Sequence, residues 1–225
     1  MIKAVLFDLD NTLIDFYTFK TKCVSAALDS MIKAGLKTDK KTALNIIKEI
    51  YERFGIEYKY IFQEFLKRAE GRIDYRILSH GLLAYRKARI SCLAPYPKVK
   101  ETIRKLKKKY KIAVLSDAPV EKAWMRIVLI GIDKSLDAAI TFDDTKKRKP
   151  NPLPFKKAIE KLKVKPSEIL MVGDSIHRDM AGAKKLGMKT CLAVYGRTLK
   201  PKTLPKDADF LLKNISDLLK IVKKV

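Results

Sequence analysis

"AVLFDLDNTL", residues 4–13, decides how the rest of the chain is read. Residues 4–8 form a short apolar run that reads as a buried β-strand, yet the run closes on two aspartates one residue apart. Alternate side chains of an extended backbone share a face, so Asp8 and Asp10 are expected on the same side. Two carboxylates held that close repel each other by a few kcal/mol at an effective dielectric of about 20. A fold keeps such a pair when a metal ion, a shared proton or open water neutralises it.

Similar apolar runs recur at "IAVLS" (112–116), "AAITF" (138–142) and "ILMVG" (169–173), with weaker ones at "TCLAV" (190–194) and "ADFLL" (208–212). Helical patterns separate most of them, over 97–109, 119–130, 152–163, 177–186 and 214–223. Alternating strands and helices imply an α/β fold whose parallel sheet is covered on both faces. Such sheets bind ligands beyond the carboxyl ends of their strands, where Asp8, Ser116 and Asp174 are expected. Residues 16–93 break the alternation. They read as four amphipathic helices, with Gly35, Gly55 and Gly71 at helix stops. "LAPYPKV" (93–99), with two prolines, leads back to the sheet. The expected organisation is a core of residues 1–15 and 94–225 with an all-helical insertion at 16–93.

With 225 residues, 47% of them hydrophobic, the chain can bury a large core, which excludes a disordered protein. No apolar run approaches the ~18 residues of a membrane span, and the N-terminus lacks a signal-peptide pattern. Cys23, Cys92 and Cys191 are odd in number and show no CxxC pairing, so reduced thiols and a cytoplasmic location are expected. The net charge of +24 reflects 49 Lys and Arg against 25 Asp and Glu. Basic residues cluster at 105–111 and 146–149 but spread along most helices. The excess therefore reads first as a solvated exterior and second as a surface for a polyanion such as nucleic acid.

The polar residues at strand ends follow a fixed order: Asp8 and Asp10, Ser116 in "AVLSDAP", Lys149 in "KKRKPNPLPF", and Asp174 and Asp179 in "MVGDSIHRD". Each alone is a weak signal; the series, each at one sheet edge, is specific. With these four motifs the chain resembles the haloacid dehalogenase-like superfamily of hydrolases, over nearly its whole length. The resemblance implies a Rossmann-like, doubly wound core with a helical cap inserted after the first strand, a Mg²⁺ ion, and phosphoryl transfer through an aspartyl-phosphate.

By that resemblance Asp8 is the nucleophile and Asp10 the general acid and base, its pKa raised by the neighbouring carboxylate. Asp8 and Asp174 would bind the metal directly, with the backbone carbonyl of Asp10, and Asp179 through water. Thr12 is expected to hold Asp10 by a hydrogen bond. Ser116, Asp117 and the amides at a helix start would receive the phosphate, and Lys149 would touch both phosphate and nucleophile. The implied enzyme is a phosphatase acting on a small phosphorylated metabolite, as a monomer or homodimer. A phosphomutase and a basic scaffold binding nucleic acid are the alternatives. A haloacid dehalogenase is disfavoured because those enzymes lack the aspartate at the position of Asp10.

Overall fold

The computed structural model describes residues 1–197, 201 and 203–224. Six strands, β1 (Ala4–Phe7), β2 (Lys111–Leu115), β3 (Ala138–Ile140), β4 (Ile169–Gly173), β5 (Lys189–Ala193) and β6 (Phe210–Leu212), form one sheet. Their order is β3-β2-β1-β4-β5-β6 and every pairing is parallel. β1 and β4 are buried along their whole length, which explains why they read as unbroken apolar runs. The chain leaves β1 towards β2 and β3, then crosses to the other side for β4, β5 and β6. The winding direction therefore reverses between β1 and β4, and the loops after those strands diverge to open a crevice.

β1, β2 and β5 each stop one residue short of the expected run, and β3 two residues short. Asp8 and Ser116 thus follow their strands, although their N–H groups continue the ladder to Val172 O (2.8 Å) and Ile140 O (2.9 Å). β6 starts late because Asp209 is drawn aside: its carboxylate accepts from the N–H and hydroxyl of Thr190.

Ten α-helices are present among the described residues. Four make up the insertion that follows β1: α1 (Phe16–Lys33), α2 (Lys40–Phe54), α3 (Ile61–Glu70) and α4 (Tyr75–Ser91). The others are α5 (Val99–Lys107), α6 (Val120–Leu129), α7 (Phe142–Thr145), α8 (Pro152–Leu162), α9 (Ala181–Lys184) and α10 (Leu218–Ile221). The helix expected over 177–186 is instead a π-turn at Ile176–Met180 followed by the single turn of α9. α10 is likewise shorter than expected, entered through a 3₁₀ turn at Ile215–Asp217. α7 had no periodicity to announce it and rests on a capping box between Thr141 and Asp144.

The chain divides into two compact units, residues 1–16 with 94–225, and residues 17–93. In the first, Leu6, Leu115, Ile140, Phe155, Met171 and Leu192 belong to a core between sheet and helices. In the second, the helices enclose an apolar core that includes Leu28, Met31, Ile50, Phe62, Phe65 and Leu66. Asp39 and Asp74 cap α2 and α4 by accepting two backbone N–H groups each. No described helix is long and apolar enough to cross a membrane.

Candidate active site

The site is built from the loops that follow β1, β2 and β4 and from the segment that leads into α8. Asp8 leaves β1 almost fully buried, and both its oxygens are engaged. Oδ2 accepts from Thr12 Oγ1 at 2.9 Å and Oδ1 from Lys149 Nζ at 2.5 Å. Thr12 therefore orients Asp8, not Asp10 as its place in the motif suggests. The tight turn through Asn11, at φ 62, folds the threonine back under the first aspartate.

Lys149 is buried and its ammonium is triply coordinated. Besides Asp8 it donates to Leu115 O (3.1 Å), and it lies 2.7 Å from Asp179 Oδ1, an ion pair off the hydrogen-bond direction. Burial alone would lower its pKa; the carboxylates of Asp179, Asp8 and Asp117 outweigh that and raise it, so the lysine is charged. Asp179 comes from the π-turn and accepts from Ser175 N at 3.0 Å. Its carboxylate presses on Gly173, where a Cβ would lie 2.4 Å from Asp179 Oδ2, so only glycine fits there.

β1 has already ended, and Asp10 Oδ2 accepts from Arg126 Nη1 of α6 at 2.7 Å. The same guanidinium lies over the Phe16 ring, 4.4 Å from its centroid. Ser116 Oγ accepts from Ala118 N (3.2 Å), and α6 begins only after Pro119, so Ser116 is not the cap of that helix. The Asp117 carboxylate is spent on local structure: it accepts from Lys149 N (2.9 Å) and from Arg178 Nη1 (3.3 Å).

Asp8, Asp174 and Asp179 each offer a carboxylate oxygen, and these atoms lie within 4.8 Å of one another. Asp174 Oδ1 is buried without a hydrogen-bond partner, and Arg178 Nη2 stands 4.0 Å from it. Burial, then the charges of Asp8 and Asp179, push the Asp174 pKa up to about 7. Burial likewise raises that of Asp179, against the opposing pull of Lys149. Three desolvated carboxylates facing Lys149 and, at longer range, Arg178 still lack positive charge. Their all-oxygen donor set fits a hard divalent cation such as Mg²⁺.

Residues 2–187 match the family model of haloacid dehalogenase-like hydrolases. The chain is 31% identical to the glyceraldehyde 3-phosphate phosphatase of Pyrococcus furiosus, over 99% of this chain and 94% of that one. It is 32% identical to the enzyme of that name from Methanocaldococcus jannaschii, over 100% and 99%. A crystal structure of a phosphatase of this family from Thermococcus onnurineus superposes with a TM-score of 0.70 at 27% identity, covering 98% of both chains.

The chain belongs to the haloacid dehalogenase-like hydrolases, on their phosphatase side.

In this haloacid dehalogenase-like hydrolase the structure brings Asp8, Thr12, Lys149, Asp174 and Asp179 together, with Ser116 and Asp117 at the same sheet edge. It turns Asp10 to Arg126. Sequence reading missed Arg126 and Arg178. Arg126 had a signal: it stands beside the apolar stripe of Ala123, Ile127 and Ile130, where a buried charge needs a partner. Arg178, half-exposed inside the fourth motif, had none.

Proposed function

We propose that this enzyme is a Mg²⁺-dependent phosphatase that hydrolyses a small phosphorylated metabolite through an aspartyl-phosphate on Asp8. One observation carries the reading: a buried carboxylate, fixed by Lys149 and Thr12, stands beside two further carboxylates at the crevice between β1 and β4. Asp8, Asp174 and the backbone carbonyl of Asp10 would hold the metal, with Asp179 behind them. When bound, that ion supplies the positive charge that lets an anionic ester approach an anionic nucleophile.

An Asp8 oxygen attacks phosphorus, the bond to the ester oxygen breaks, and Asp10 gives that oxygen its proton. Water then attacks the phosphorus of the acyl phosphate and returns a proton to Asp10, releasing phosphate and the Asp8 carboxylate. Arg126 orients Asp10 for this task. Lys149 offsets charge on the nucleophile and the phosphoryl oxygens, and the Ser116 hydroxyl donates to one of them. Asp117, its carboxylate occupied, contributes through its backbone N–H. The helical unit is the cap that selects the substrate, and Asp10 favours phosphate esters over haloacids because an alkoxide leaving group needs a proton.

The test is hydrolysis of p-nitrophenyl phosphate and a panel of phosphorylated metabolites, glyceraldehyde 3-phosphate first because relatives bear its name. Activity is expected to need Mg²⁺, to vanish with excess chelator, and to fall at least ~10³-fold in Asp8→Asn, about 4 kcal/mol of transition-state stabilisation. An Asp8→Asn protein that keeps wild-type turnover would sink the mechanism.

A further inference from the structure

Three consecutive residues after β5 each reach a backbone carbonyl of the site. Tyr195 donates its hydroxyl to Thr12 O at 2.7 Å. Gly196 lies so close to Asn11 that a Cβ on it would sit 1.6 Å from Asn11 O. Arg197 Nη1 donates to Asp174 O. None of the three carries a group that the proposed chemistry uses, and they lie far in sequence from the motifs they touch.

The consequences reach the nucleophile by a short route. The Thr12 carbonyl held by Tyr195 belongs to the residue whose hydroxyl orients Asp8 Oδ2. Tyr195 is itself fixed by an edge-to-face contact with Tyr96, ring centroids 4.9 Å apart, and Tyr96 N donates to Leu13 O at 2.9 Å. The turn from Asn11 to Leu13 is therefore held from outside its own strand by hydrogen bonds to the carbonyls of Thr12 and Leu13, with Gly196 packed against that of Asn11.

We infer that the segment Tyr195–Arg197 is a positioning element that sets the orientation of Asp8, and that the Tyr195 hydroxyl acts through Thr12. Tyr195 touches no reacting atom; it is a positioning residue, and the inference rests on Asp8 being the nucleophile. A turn left loose at Thr12 lets the hydroxyl of that residue wander from Asp8 Oδ2, and a misplaced nucleophile loses rate without losing substrate.

The deciding experiment is a double-mutant cycle of Tyr195→Phe and Thr12→Val on the full chain, read as kcat and KM for p-nitrophenyl phosphate with Mg²⁺. Tyr195→Phe keeps the ring against Tyr96 and deletes only the hydroxyl. It is expected to lower kcat about 10-fold with KM changed less than 2-fold. In the Thr12→Val background the same change is expected to cost less than 2-fold more, because the link to Asp8 is already cut. Independent, multiplying losses would show a merely structural role and overturn the inference, as would full activity in Tyr195→Phe. Amide hydrogen exchange gives a readout free of catalysis: Tyr195→Phe should speed exchange at Asn11 and Leu13 about 10-fold and leave α8 unchanged. Unchanged exchange at that turn refutes the clamp, even if the protein proves to have no phosphatase activity. A wild-type protein without activity but with that local change removes the phosphatase reading and keeps only the clamp on the Asn11–Leu13 turn.

Discussion

Residues 17–93 bury apolar side chains such as Phe62, Phe65 and Leu66, whereas the sheet-bearing unit buries Asp8, Lys149, Asp179 and Arg126 beside its aliphatic core. No charged residue within 17–93 is buried. Desolvating a charge costs several kcal/mol unless a partner meets it, so a fold accumulates such groups where something other than stability retains them. The helical unit is organised to pack; the sheet unit gives up packing for a charged cluster at one strand edge. Single substitutions should separate these two designs, each failing in its own way.

The largest effects come from one residue on each side. Lys149→Met leaves Asp8 and Asp179 as buried carboxylates without their ammonium and should cost about 3–5 kcal/mol of unfolding free energy in chelator. Asp179→Asn added to it should restore part of that loss, because one of the two stranded charges is gone. Phe65→Ala should cost a similar 3–5 kcal/mol through the cavity it leaves, with no such electrostatic rescue. Equilibrium unfolding in urea reads all three. A Lys149→Met protein as stable as wild type would mean the cluster is solvated, and the contrast between the units would collapse.

Metal binding sharpens the contrast further. Mg²⁺ at about 100 times its dissociation constant should add about 2.7 kcal/mol to stability, raising the melting temperature by about 5–10 °C for a chain of this size. Phe65→Ala should gain as much as wild type, since its lesion lies among apolar side chains. Asp174→Asn should lose most of the gain. A thermal melt that ignores Mg²⁺ would remove the metal assignment from the acidic cluster.

Much of this division was legible in the chain itself, and the illegible part has physical causes. The apolar runs at 4–8 and 169–173 announced central strands, because strands buried on both faces leave no polar alternation to blur the signal. Gly55 and Gly71, at positive φ, end α2 and α3 where the periodicity stops. Thr12 was misassigned because a motif gives spacing and not direction: the positive φ of Asn11 turns its hydroxyl back to Asp8. Likewise Arg126, Tyr195 and Arg197 reach the site across more than a hundred residues or into a different loop, and only the wound sheet brings them there.

The smallest expected effect tests the sheet unit away from its crevice. Asp209 binds the Thr190 N–H and hydroxyl and pairs with Lys184, tying β5 to the start of β6. Burial alone would raise its pKa, but Lys184 and Thr190 outweigh it and hold the carboxyl below its ordinary value of 3.8. The folded chain therefore keeps Asp209 ionised at pH values where the unfolded chain has taken up the proton. Its contribution is complete above the unfolded value and disappears as pH falls through the lower folded one. Asp209→Asn should lower the melting temperature by about 2 °C at pH 7 and converge with wild type towards pH 2–3. If the two proteins instead differ equally at pH 7 and at pH 2.5, the carboxylate's charge is not what joins these strands, and Asp209 acts there by shape alone.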